Sequence, residues 1–311
     1  MNLTGTVEVV RKPTINTMVM LSLLGDTRRA VTWGGPGVMP GAVQPATPTS
    51  VPFGAIATTG EDPADADVKT ISIILWNSNG TQNCTADCDA SVTVDVGRSG
   101  DAVAIRVYRL DETHGNPHGV FMAQRDGAPM KKPYPTRAEF EAIRAASELP
   151  SCDLSPAAAP AAAGACDGVS ATGSAVSLPL PQPSAALVHV CVAPAGGAPK
   201  PLWPSAGAGL TLRATTTPGE VFVRWSDVPS KCVGTYELFH SAGGEEETWS
   251  AVDNVIPSDT LVTAFVHQQA GAEAAGCYSV RWVNAWGGKS ALSPEVCVAA
   301  GEGGPLPFAN A

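Results

Sequence analysis

The stretch VKTISIILWN, from Val68 to Asn77, contains an apolar run, ISIILW, that is interrupted only by Ser72. A run without alternation is typical of a strand that is buried on both faces, whereas a strand with one wet face alternates. Shorter strand-like segments surround it along the chain: AVTW, FGAIATT, SVTVDV, AVAIRVYRL, AVSLPL and AALVHVCV. We therefore predict a β-sandwich over residues 29–205, and a mainly β fold for the whole chain.

A second group of strands follows the Pro/Gly-rich stretch PAGGAPKPLWPSAGAG. Apolar residues alternate in two of its segments, so each set should face one side of its strand: Val221, Val223 and Trp225, then Tyr278, Val280 and Trp282. The strand spacing suits a seven-stranded sandwich, and YSVRWVNAWGGKSALSPEV resembles the last two strands of a fibronectin type III domain. We predict such a domain over residues 206–300, followed by a tail at residues 301–311.

Two segments have helical signals. KPTINTMVMLSLLGD has Pro13 at a first-turn position and Gly25 as a stop, and its apolar residues cover most of the helix circumference. Such a helix must be buried on several sides, so we expect neighbours outside this chain. PTRAEFEAIRAASEL begins with a capping box, Thr136 and Glu139, and predicts one short helix within the first sandwich. An Ala/Pro-rich surface insertion follows it, over residues 154–174.

Composition narrows the class of protein. The formal net charge of −10 argues against nucleic acid or an acidic membrane as a partner, and the apolar run from Met18 to Gly25 is too short to span a bilayer. Eight cysteines and the glycosylation sequons at Asn2, Asn79 and Asn83 suggest a secretory route, lysosomal, vacuolar or extracellular. Because no signal peptide opens the chain, we expect Met1 to be internal to a longer protein.

The stretch RLDETHGNPHG, residues 109–119, has the residue types of hydrolytic and metal sites: Asp111, Glu112, His114 and His118. A metal site there would recruit Cys84 and Cys88, but the spacing matches no standard zinc signature. The alternative is a polar corner at a strand end, in which Asp111, His114 and Asn116 satisfy free backbone groups. We predict this structural turn, with no metal and no cofactor, and a local bridge between Cys84 and Cys88.

A wider resemblance begins at the same stretch. Its Asp-x-x-His-x-Asn turn, with the following Gly127, Pro129, Pro135 and Thr136, resembles a segment of glycoside hydrolase family 39, and within it of the α-L-iduronidases. VRKP, LVHVC and WSD…SKC…TYE are similar to motifs of the same family. They occur in the same order from Val10 to about Val298.

The resemblance implies that the catalytic centre lies outside this chain. Members of the family use two glutamates on a (β/α)8 barrel in a retaining mechanism, with the carboxyl groups about 5 Å apart. Residues 1–28 resemble the end of that barrel with its final helix, and no glutamate here matches either catalytic position. The chain would be the C-terminal accessory part of a hydrolase that removes terminal α-L-iduronic acid or related uronic acids from glycosaminoglycan-like polysaccharides. Its partner would be the upstream barrel, and the polysaccharide would be the substrate of the parent.

The resemblance also implies covalent features. The family pairs cysteines that correspond to Cys191 and Cys232, and it carries glycosylated asparagines at the positions of Asn2 and Asn83. Two further bridges are expected from position alone: Cys277 with Cys297 on neighbouring last strands, and Cys152 with Cys166 around the Ala/Pro-rich insertion.

Two other functions are compatible with these residues. The first is a stand-alone carbohydrate- or protein-binding β module, with Trp203, Trp249 and Trp286 as candidate aromatic contacts. The second is a metal- or cysteine-dependent enzyme centred on residues 111–118.

Overall fold

The computed structural model describes fourteen parts of the chain: residues 10–32, 53–78, 89–98, 103–125, 135–154, 166–194, 197, 210–214, 220–226, 228–241, 249–252, 256–257, 264–268 and 276–298. The chain divides into two compact units, called here the first unit (residues 9–198) and the second unit (residues 199–311 with 1–8). Both are built mainly from β-strands, as predicted. Among the described residues, every helix is too short or too polar to cross a membrane.

In its described residues the first unit contains two antiparallel sheets and three helices. Its elements are α1 (Pro13–Ser22), β1 (Thr27–Arg29), β2 (Phe53–Asp62), β3 (Asp65–Asn77), β4 (Ala90–Asp95), β5 (Val103–Leu110), α2 (Pro117–Ala123), α3 (Arg137–Ser147), β6 (Ser151–Asp153), β7 (Ser170–Thr172), β8 (Ala175–Leu180) and β9 (Ser184–Val192). The large sheet has the strand order β1-β2-β3-β9-β5-β6, and the small sheet has the order β4-β8-β7.

The central strand β3 is covered on both faces, which confirms the interpretation of ISIILW. Ile73 and Leu75 join a core that includes Val176 and Leu178 of the small sheet. Ile74 points to the opposite face and packs with residues of α1 in a separate core. Because successive side chains of a strand point to opposite faces, an uninterrupted apolar run can supply both cores.

Helix α1 covers the second face of the large sheet. Its inner side chains Val19 and Met20, with Leu23 just beyond its end, are at most 3% exposed. The opposite side of the helix carries Ile15 and Met18, which are exposed. Helix α1 has apolar residues all around it, and the described part of the chain buries one side of it.

The other two helices begin at side-chain caps. The predicted capping box of α3 is present, with Thr136 and Glu139 each bonding the backbone of the other. Helix α2 was not predicted. It begins at Pro117, and the side chain of Asn116 accepts a hydrogen bond from the backbone N–H of His118. Asn before Pro is a helix-start signal, but the stretch was predicted as a turn at a strand end.

The second unit has two facing sheets. Its elements are β10 (Leu210–Ala214), β11 (Glu220–Trp225), β12 (Val233–Ser241), β13 (Ser250–Ala251), β14 (Ile256–Pro257), β15 (Ala264–Gln268), β16 (Gly276–Asn284) and β17 (Val296–Val298). One sheet has the order β10-β11-β15, and the other has the order β13-β12-β16-β17, with β14 also paired to β12. Their shared core contains the alternating residues that the sequence predicted: Val221, Val223, Trp225, Tyr278, Val280 and Trp282.

The predicted domain limits at residues 28, 205 and 300 remain predictions. What the structure adds is that α1 packs within the unit formed by residues 9–198.

Gly54 offers a test of the large sheet. It pairs with Trp76 on β3, and a Cβ atom at residue 54 would overlap the indole ring. Gly54→Ala should displace Trp76 and lower the free energy of unfolding by about 1–3 kcal/mol, as overpacking does. Urea denaturation measures the loss. Gly119→Ala is the control, because its Cβ would meet nothing closer than 3.6 Å. Equal effects of the two substitutions would contradict the packing described here.

Candidate functional site

The corner, residues 109–116, lies where β5 ends, and Asp111 organises it. One carboxylate oxygen, Oδ1, accepts hydrogen bonds from the backbone N–H of Thr113 at 2.8 Å, the Thr113 hydroxyl at 2.9 Å and the backbone N–H of His114 at 2.9 Å. The imidazole Nδ1 of His114 lies 2.7 Å from the same oxygen. The Asp111 side chain is therefore occupied by its own turn.

The His114 ring links Asp111 to Arg109. The Arg109 guanidinium contacts Nε2 of the ring, while its Nη1 donates to the carbonyl oxygen of Asp167 at 2.7 Å. A guanidinium only donates hydrogen bonds, so Nε2 is the acceptor and the ring proton sits on Nδ1, where it faces Asp111. Both ring nitrogens are thus engaged in internal contacts.

The protonation of Asp111 follows from these contacts. Burial alone would raise the pKa of the carboxyl group, but hydrogen bonds from the His114 ring and from the Thr113 backbone outweigh burial and lower it. A carboxylate with a lowered pKa is a weak proton acceptor at neutral pH. The arrangement therefore suits a structural anchor better than a general acid or base.

A buried amide connects the corner to two helices. Nδ2 of Asn16, on α1, donates to the carbonyl oxygen of Gly115 at 2.8 Å and to that of Ser147 at 2.9 Å. Asn16 is fully buried, and Ser147 ends α3. One side chain thus holds together α1, the corner and the end of α3. No local sequence signal could show this, because its partners lie 99 and 131 residues away.

The side chains of the other acidic residues and of His118 are exposed or serve a different element. Glu112 and His118 are exposed. Glu139 serves the cap of α3, and Glu141 pairs with Arg137 on the surface of the same helix. Within the described residues, no group of three potential metal ligands forms at the corner. Cys84 and Cys88, the extra ligands considered for a metal, lie outside the described residues, as does their predicted bridge.

Of the remaining predicted sites, the structure describes some, and others lie outside the described residues. The structure joins Cys152 to Cys166 and Cys277 to Cys297. Cys191 and Cys232 belong to different units, and their pairing stays a prediction. The sequons at Asn2, Asn79 and Asn83 lie outside the described residues, and so does Trp203. Trp249 and Trp286 are partly buried.

Asn16→Ala should destabilise the first unit. The substitution leaves two buried carbonyl oxygens without their donor, at a cost of about 2–4 kcal/mol in the free energy of unfolding. Urea denaturation at pH 7 measures this loss. Thr14→Ala, at an exposed position of the same helix, is the control. A loss no greater than that of the control would show that the amide does not hold the corner.

Asp111→Asn should change how stability depends on pH. Because the folded pKa of Asp111 is lowered, its contribution is complete above the unfolded value of about 3.9 and is lost as pH falls through the folded value. The variant should therefore be less stable than the parent by about 1.5–3 kcal/mol at pH 7, with the gap closing in acid. Denaturation at several pH values tests this, with Glu112→Gln as an exposed control. A gap that stays constant down to pH 2 would contradict the argument.

Comparison with known proteins adds to these observations. Residues 209–298 match the family model described as the alpha-L-iduronidase C-terminal domain. Alpha-L-iduronidase of Canis lupus familiaris is 30% identical over 294 residues, which cover 93% of this chain and 39% of that protein. Alpha-L-iduronidase of Mus musculus is 27% identical over 297 residues, covering 93% of this chain and 41% of that protein. The chain thus spans about two fifths of the length of these relatives.

A solved structure, the third fibronectin III domain of the human KIAA0343 protein, covers 36% of this chain and 98% of that chain, with 16% identity and a TM-score of 0.23. The TM-score is too low for this likeness to support an assignment, and the family assignment depends on the sequence matches. They extend over nearly the whole chain and include a family model for the second unit. The chain corresponds to the C-terminal portion of an α-L-iduronidase-like protein of glycoside hydrolase family 39.

Proposed function

We propose that this chain is the non-catalytic support of a catalytic domain that precedes it in the parent protein. That domain would remove terminal α-L-iduronic acid or related uronic acid residues from glycosaminoglycan-like polysaccharides. The observation that carries the proposal is an apolar surface on the first unit, called here the docking face: Ile15, Met18, Leu21 and Trp76.

The docking face lies on one side of the large sheet. Ile15, Met18 and Leu21 follow one another at intervals of three along α1 and are 44%, 56% and 41% exposed. Trp76 is 37% exposed and lies two residues from Ile74, so it points to the sheet face that α1 covers. Four of the five exposed large apolar side chains among the described residues belong to this face. Three exposed apolar side chains in a row along one helix are typical of an interaction site.

The occupant that we propose is the segment that precedes the matched region in the relatives. The chain spans only 39% and 41% of those proteins, and α1 is the first element of its fold. A preceding domain would join α1 directly and reach the docking face without a long linker. In this proposal α1 is the closing helix of the upstream (β/α)8 barrel.

Hydrogen bonds anchor helix α1 firmly enough to present a fixed surface to a second domain. Besides the contacts of Asn16, the Ser72 hydroxyl donates to the carbonyl oxygen of Leu23 at 2.8 Å, and the backbone N–H of Gly25 donates to the Thr58 hydroxyl at 2.8 Å. These bonds hold the helix near its start and just after its end. The docking face is therefore presented in one orientation.

We further propose that both catalytic glutamates lie in the preceding domain. A retaining glycosidase needs two carboxyl groups about 5 Å apart with room for the sugar between them. The described glutamates with ion pairs or caps have structural partners instead: Glu61 with Lys69, Glu139 with Thr136, Glu141 with Arg137, Glu148 with Arg11, and Glu237 with Arg281 and Lys289. The disulfides and the relatives indicate a secretory-pathway protein, and we place it in a lysosome or vacuole, or outside the cell.

The alternative of a stand-alone carbohydrate- or protein-binding module needs an open aromatic platform. Trp249 and Trp286, two of its three candidate side chains, are partly buried in the second unit. The docking face is a better match for a large protein neighbour than for a sugar, because it combines three aliphatic side chains with one indole ring.

The docking face is tested in the parent protein with its preceding domain. The double substitution Met18→Asp with Leu21→Asp should lower the yield of soluble α-L-iduronidase activity about tenfold or more, because two charges would be buried without partners. Activity on a fluorogenic α-L-iduronide measures it. Leu292→Asp is the matched control, because Leu292 is 38% exposed but lies in the second unit. Normal yield of the double variant would overturn the proposed docking.

The placement of both catalytic glutamates in the preceding domain has a separate test. Purified residues 1–311 should give no turnover of the same α-L-iduronide, while the parent protein hydrolyses it. Turnover by the 311-residue chain, retained after repeated purification, would refute the placement of both glutamates upstream.

A further inference from the structure

Three titratable aromatic side chains meet between the sheets of the second unit: His240 of β12, His267 of β15 and Tyr278 of β16. His240 and Tyr278 are cross-strand partners in one sheet. His267 belongs to the other sheet and pairs with Val221, a residue of the core. Because cross-strand partners point to the same face, His267 is directed towards the opposite sheet.

The three rings are in mutual contact. The ring centroids are 5.0 Å apart for His240 and His267, 4.8 Å for His240 and Tyr278, and 5.7 Å for His267 and Tyr278. Nδ1 of His267 lies 2.8 Å from the Tyr278 hydroxyl, within hydrogen-bond distance. Two imidazoles and a phenol thus bridge the two sheets at one end of the sandwich.

The cluster is largely buried, and its cross-strand neighbours are uncharged. Tyr278 is fully buried and His240 is 7% exposed, while His267 is partly buried. The neighbouring strands contribute Val221 of β11 beside His267, Ser250 of β13 beside His240, and Val296 of β17 beside Tyr278.

The described charged groups of these strands point elsewhere. Glu237 and Arg281 pair across β12 and β16 on the outer face of their sheet, where Lys289 joins them. Arg224 of β11 is exposed, and so is Glu295, which precedes β17. Among the described residues, the titratable groups that face one another in the cluster are therefore His240, His267 and Tyr278, without a carboxylate.

This environment favours an uncharged His267 imidazole and an uncharged Tyr278 phenol. Burial, and then the neighbouring His240, lowers the pKa of His267. Burial raises the pKa of Tyr278, so the phenol keeps its proton and can donate it to an unprotonated Nδ1. A proton on Nδ1 of His267 would turn this acceptor into a donor. The Tyr278 hydroxyl could then no longer donate its hydrogen to Nδ1, and a positive charge would lie beside the His240 ring.

We propose that His240, His267 and Tyr278 form an acid-sensitive contact between the two sheets, closed while His267 is neutral and loosened when His267 takes up a proton. Among the described strands β15 lies at the edge of its sheet and pairs with β11 alone, so it can separate without breaking described pairing on both sides. Because the folded pKa of His267 is lowered, the contact is fully effective above the unfolded value of about 6.5 and is lost as pH falls through the folded value.

Amide hydrogen exchange on the intact chain tests the proposal. Protection factors, which remove the intrinsic pH dependence of exchange, are compared between pH 7 and pH 5. Protection in residues 264–268 and 276–280 should fall several-fold, at most about tenfold per pH unit for one proton. Strands β3 and β9 of the first unit should change much less. Protection in β15 that does not depend on pH would overturn the proposal.

Variants identify the groups responsible. His267→Gln keeps an acceptor for the Tyr278 hydroxyl but cannot be charged, so most of the pH dependence in β15 should disappear. His118→Gln, at an exposed histidine of the first unit, is the control and should leave it unchanged. An undiminished fall in the double variant His240→Phe with His267→Gln would show that the cluster is not the sensor.

A measurement on the unsubstituted chain keeps the proposal testable if a variant misfolds. Exchange of the imidazole C2 hydrogen, followed in the unsubstituted chain, gives the titration midpoint of each histidine. For His267 a midpoint below the ordinary value of about 6.5 supports the proposal, and a midpoint at or above it overturns the proposal.

Discussion

The first unit depends on one constraint, which is that its central strands have apolar side chains on both faces. Ile74 of β3 and Leu187 of β9 face α1, while Ile73 and Val188 face the small sheet. At about 25 cal/mol per Å² of buried apolar surface, leaving either face wet would cost several kcal/mol. The sheet therefore requires a cover on each side. Helix α1 belongs to this fold because it is one of those covers.

A cover held only by apolar contacts could slide or rotate, and buried hydrogen bonds prevent this in α1. Asn16 near its start and the Leu23 carbonyl just after its end are both tied to buried partners. A rotated helix would leave these groups unpaired, at about 1–3 kcal/mol each. The same bonds therefore determine which apolar side chains point away from the sheet. The outer surface of α1 is a consequence of how its inner surface is fixed.

Sequence reasoning succeeded where the information is local. The run ISIILW, the alternation around Val223 and Val280 and the capping box at Thr136 each occupy one segment, and the structure contains all three. The contacts of Asp111 are local as well, because its partners lie within three residues. Asn16, His240 and His267 act through partners on distant segments. No period or spacing records which segments meet, so their roles became visible only in the fold.

The two histidine clusters show why residue type alone does not decide function. His114 faces a carboxylate and a guanidinium, and both of its ring nitrogens are engaged by these neighbours. His267 faces a phenol and a second imidazole, and nothing described near it compensates a positive charge. Burial lowers the pKa of His267, and of the two clusters only the one around His114 contains a described carboxylate, that of Asp111. The counter-charge, and not the histidine, separates a rigid corner from a contact that acid can open.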